Sequence, residues 1–63
     1  MSTLRDMLYT SAHADRAKAL LTLDILENHA AGIGDHSTDD FYKNAEEALS
    51  MLVEADDRLE AIE

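Results

Sequence analysis

The stretch Gly32-Ile33-Gly34-Asp35-His36-Ser37-Thr38 holds both glycines of the chain and divides two long helical patterns. Gly32 ends an apolar-periodic run, where a left-handed C′ residue stops a helix without a Cβ penalty. Ile33 then falls at C″, a position whose apolar side chain folds back on the last turn. Ser37 is a good N-cap, and Asp40 three residues on gives an acidic capping box. Asp39 and Asp40 lie in the first turn, where the helix dipole favours anions. His36 before the cap and Phe41 after it suit a hydrophobic staple. Stop signal, short loop and start signal agree. The expectation is a helix over about 4–31, a turn at 32–37 and a helix over about 38–62. A loop this short makes the two helices antiparallel neighbours.

Outward from the turn, nothing between Leu4 and Ala31 breaks a helix; the least helix-favouring segment is Tyr9–His13, where a bend is the alternative. The apolar residues of this helix cover more than half its circumference at roughly 100° per residue. Ser11, Thr22 and the Ala12–Ala19 region are small, which permits close approach of a second helix. The second pattern is sharper. Phe41, Ala45, Ala48, Leu52, Ala55, Leu59 and Ile62 alternate spacings of four and three, a heptad seam with alanines repeating at one position. Tyr42, Leu49 and Met51 widen it, and Val53 is an apolar outlier. Glu54 and Arg58 have the spacing of an intrahelical ion pair. At the start of the chain, Ser2 or Thr3 can cap the first helix.

Sixty-three residues allow one domain, and a chain this short is marginally stable alone. There is no cysteine, so no disulfide or thiolate–metal site can staple it. The apolar arc of the first helix exceeds what one partner helix can cover. The fold expected is therefore all-α: an antiparallel helical hairpin that dimerises into a four-helix bundle. The residues expected at the shared interface are Leu21, Ile25, Phe41, Ala45, Ala48, Leu52, Ala55 and Leu59.

The net charge is −9 and lopsided. Residues 1–34 carry four acids against three cations; residues 35–63 carry ten acids against two. This excess argues against direct binding of nucleic acid or anionic membrane. It suits a solvated face, with an acidic mimic of nucleic acid as the alternative. No basic region followed by an apolar core opens the chain, and no apolar run reaches membrane-spanning length. The expectation is a soluble, cytoplasmic protein.

Catalytic chemistry finds little support. Asp35, His36, Asp39 and Asp40 form the nearest thing to a metal site, with oxygen and imidazole ligands. Asp39 and Asp40 already have capping and dipole roles, and Asp35 and His36 suit an exposed turn, so no metal and no cofactor are expected; a metal-binding or metal-dependent helical bundle is kept as an alternative function beside the acidic mimic. The Glu-x-x-His element of di-iron bundles is missing, since Glu27 and His29 are two apart. Glu54 and Asp57 have the Glu-x-x-Asp spacing of all-α nucleotide pyrophosphatases, but the first helix offers no matching acidic pair. No Ser-His-Asp set, cysteine nucleophile or phosphate-cradling loop can be drawn.

From Gly32 to Leu49, and on through Ala55-Asp56-Asp57-Arg58-Leu59, the sequence resembles a group of short uncharacterised proteins. These are encoded by cyanobacterial myoviruses, the large tailed phages of marine cyanobacteria, and occur in ocean metagenomes. The resemblance implies a phage setting in a host cytoplasm and no catalytic residues. The expected function is that of a small non-enzymatic, homo-oligomeric interaction protein, a phage accessory factor that binds itself and a host or phage protein.

Overall fold

The computed structural model describes residues 2–28 and 38–63. They form two helices, α1 (Thr3–Asn28) and α2 (Thr38–Ile62), packed as an antiparallel hairpin. No strand occurs among the described residues. The turn residues Gly32, Ile33, Gly34, Asp35, His36 and Ser37 lie outside them, as does the expected extension of α1 to Ala31.

Of the two candidate caps at the chain start, Ser2 takes the role. Its Oγ accepts from the Arg5 backbone N–H at 3.0 Å, and its carbonyl accepts from the Asp6 N–H at 3.1 Å. Asp6 sits in the first turn, on the favourable side of the helix dipole. Helix α1 then runs unbroken through Tyr9–His13. One turn apart, the Tyr9 and His13 rings meet edge-on with centroids 4.5 Å apart, a geometry that suits the aromatic quadrupoles. Further along, Thr22 Oγ donates to the Lys18 carbonyl at 2.9 Å and Asn28 Nδ2 to Asp24 Oδ1 at 2.7 Å. Both bonds satisfy polar side chains within the helix.

The core is one seam between the helices. Ala12, Ala19 and Leu26 from α1 and Ala48, Ala55 and Leu59 from α2 are its buried residues. Ala12, Ala19 and Leu26 repeat every seven residues, and so do Ala48 and Ala55. Alanine at the contact lets two helix axes approach towards the lower end of the usual range, about 8 Å. Phe41, Ala45, Met51, Leu52 and Ile62 line the seam half-buried. No large side chain is wholly enclosed among the described residues.

Three arginines cross from helix to helix and define the register. Arg16 Nε donates to Asp56 Oδ1 at 2.8 Å, and Arg58 Nη2 donates to Asp15 Oδ2 at 2.9 Å. The Arg5 guanidinium donates to the Ile62 carbonyl at the end of α2. That carbonyl has no intrahelical donor, and the last turn of α2 has no basic residue of its own. The expected Glu54–Arg58 pair is replaced by Arg58–Asp15. A half-buried partner across the seam gives stronger attraction than an exposed one along the helix.

The result is a rod of 47 × 16 × 14 Å. Its Cα radius of gyration is 14.4 Å, against about 10.6 Å for a compact chain of this length. Its accessible surface is 4920 Å², against about 4,000 Å² for a compact monomer of its mass. The hairpin leaves more surface in water than a chain of this size ordinarily does.

Candidate interaction surface

The two ion pairs show how the rod's sides are arranged. On α1, Asp15 and Arg16 lie on opposite flanks of the Ala12–Ala19 line, and on α2, Arg58 and Asp56 lie on opposite flanks of the Ala48–Ala55 line. Arg16–Asp56 therefore closes one side of the seam and Asp15–Arg58 the other.

Each side carries its own apolar stripe. On the Asp15–Arg58 side, α1 presents Leu4, Met7, Ser11, Ala14, Lys18, Leu21 and Ile25, at alternating spacings of three and four. Leu4 is 67% exposed, Met7 64%, Leu21 61% and Ile25 41%. This is a second heptad stripe, set one residue behind the buried one, so α1 carries two seams and its neighbour covers one. On the Arg16–Asp56 side, α2 presents Tyr42, Leu49 and Val53, all more than half exposed, interleaved with Glu46, Asp56 and Glu60. Leu20 and Tyr9 of α1 are exposed on that same side.

The residues expected at a shared interface divide between these surfaces. Ala48, Ala55 and Leu59 are buried inside the hairpin's own seam, and Phe41, Ala45 and Leu52 line it half-buried. Leu21 and Ile25 are exposed on the α1 stripe. Leu4 and Met7 belong to that stripe too and are missing from the expected set. Their signal lies in the three–four spacing that leads from Leu4 to Ile25.

Asp39 and Asp40 are exposed in the first turn of α2, as their dipole role requires. Asp35 and His36, their proposed fellow ligands, lie outside the described residues. Among the described residues, no group of three His, Asp or Glu side chains is placed to hold a metal ion. Concavities are shallow. One of about 210 Å³ lies between Leu8, Ser11, Arg58, Ala61 and Ile62. Another of about 350 Å³ sits at the open end of the hairpin, between Arg5, Asp6, Tyr9, Ile62 and Glu63. The first holds the Ser11 hydroxyl with no carboxylate or imidazole in its lining, and the second sets the Tyr9 phenol among the Asp6 and Glu63 carboxylates and the Arg5 guanidinium. Arg58 Nε is enclosed beside the first of these and has no hydrogen-bond acceptor among the described residues. No described helix is long and apolar enough to cross a membrane.

No family model, curated protein or solved structure matches the chain. The reading of its role therefore rests on the surface itself.

Proposed function

We propose that this chain is a small, non-enzymatic interaction protein that self-associates, two hairpins forming a four-helix bundle. The observation that carries the reading is the uncovered heptad stripe of α1. Four large apolar side chains, two at each end of the stripe, stay in water although their helix is already packed on another face. Such a stripe is the pattern of a helix–helix seam, and large apolar side chains left in water along it mark an association site. The setting proposed is a host cytoplasm, where the protein acts as a phage accessory factor on a host or phage protein through its assembled surface.

Thermal unfolding at several protein concentrations tests the reading. Association stabilises the folded state by mass action, so Tm rises with concentration. A Tm independent of concentration over two decades contradicts it. Addition of magnesium or zinc leaves Tm unchanged on this account; a clear rise would favour a metal-binding bundle instead.

A further inference from the structure

We infer that the second copy docks antiparallel on the open stripe of α1, α1 against α1, with the twofold axis crossing near Ala14. The inference rests on the self-association reading above and adds to it the surface and the orientation.

The stripe is symmetric about its middle. Leu4 and Met7 form an apolar end, Leu21 and Ile25 form the other, and Ser11, Ala14 and Lys18 lie between. A twofold contact between antiparallel helices sets the start of one stripe against the end of the other. Leu4 and Met7 of each copy then meet Leu21 and Ile25 of its partner, twice over. A register shift of one turn breaks half of that match, setting Leu21 against Ser11 or Met7 against Lys18, so the pattern fixes the register as well as the direction. Ala14 at the centre is small enough for the helices to close on one another.

Charge selects the orientation. In a parallel pair each residue meets its own copy, and Lys18 would face Lys18 in the middle of an apolar seam, an uncompensated like-charge contact. In the antiparallel pair Lys18 faces the neutral hydroxyl of Ser11 instead, and the two ammonium groups stand about seven residues, or about 10 Å, apart along the seam. The same operation applied to the α2 stripe fails. There the centre falls between Leu49 and Val53, and Glu46 would meet Asp56 while Tyr42 met Glu60. Like charges directly opposed are destabilising, and Asp56 is already paired with Arg16.

A charge-swap series read by sedimentation equilibrium tests this. Met7 and Leu21 are exposed in the hairpin, so M7E and L21K leave the helical fold intact, checked by circular dichroism. Each single variant weakens dimerisation at least about tenfold, and about 1.4 kcal/mol corresponds to that factor. The double variant M7E/L21K restores it, since the carboxylate introduced on one copy meets the ammonium introduced on the other, at both ends of the seam. The rescue weakens at about 0.5 M salt, where exposed pairs are screened. It cannot arise within one chain, because 14 residues of helix separate the two positions by about 21 Å. On the other side of the rod, L49E leaves association unchanged. A dimer that tolerates both single variants, or that L49E disrupts, refutes the surface. Singles that dissociate without rescue in the double variant refute the orientation. A wild-type chain that is monomeric at all concentrations overturns the self-association reading itself, a result distinct from these.

Discussion

Alanine does at the centre of this hairpin what larger apolar residues do in thicker cores. Ala12, Ala19, Ala48 and Ala55 are buried, yet each contributes little area. Their contribution is proximity, which brings the flanking side chains of both helices into contact. Ala19→Leu or Ala55→Leu should therefore destabilise the hairpin by about 1–3 kcal/mol through overpacking. Leucine and alanine differ little in helix propensity, so the loss isolates the packing effect. Ala17→Leu, at an exposed position of the same helix, should change stability by less than about 0.5 kcal/mol. Urea unfolding of the three variants checks the contrast. Ser2→Ala should cost about 1 kcal/mol by removing the cap of α1, read in the same experiment.

The helices as units are largely legible in the residues alone. Both show uninterrupted apolar periodicity, and the α2 heptad from Phe41 to Ile62 faces α1 as its spacing implies. The assignment of partners along that heptad is less legible. One helix's pattern shows that a seam exists, not whether the covering helix belongs to the same chain. Pattern alone thus puts Ala48, Ala55 and Leu59 between subunits, whereas they are buried within the hairpin. Helix α1 is harder still, because its two stripes overlap into one broad arc. The ion pairs across the seam separate them. Spacing pairs Arg58 along its own helix, and only the packed geometry brings Asp15 within reach. These exposed-to-half-buried pairs set register more than stability. A double-mutant cycle on Arg58→Ala and Asp15→Ala should give a coupling of only about 0.2–1 kcal/mol, reduced at high salt.

The whole molecule is a narrow rod with a net charge of −9 and an uncovered apolar side. Two copies that approach one another meet a general repulsion as well as an apolar attraction. Screening removes the first and leaves the second. Raising sodium chloride from about 0.02 to 0.15 M should therefore tighten self-association, with the Debye length falling to about 8 Å at the higher value. An acidic surface built to mimic nucleic acid behaves oppositely towards its basic partner, whose binding loosens with salt. The claim beneath all of this is that the hairpin's open stripe is covered by a second copy of the chain. Sedimentation equilibrium at micromolar concentration measures that directly. The account predicts a species of twice the 7.0 kDa chain mass; a folded helical species that stays at the single-chain mass at every concentration would contradict it.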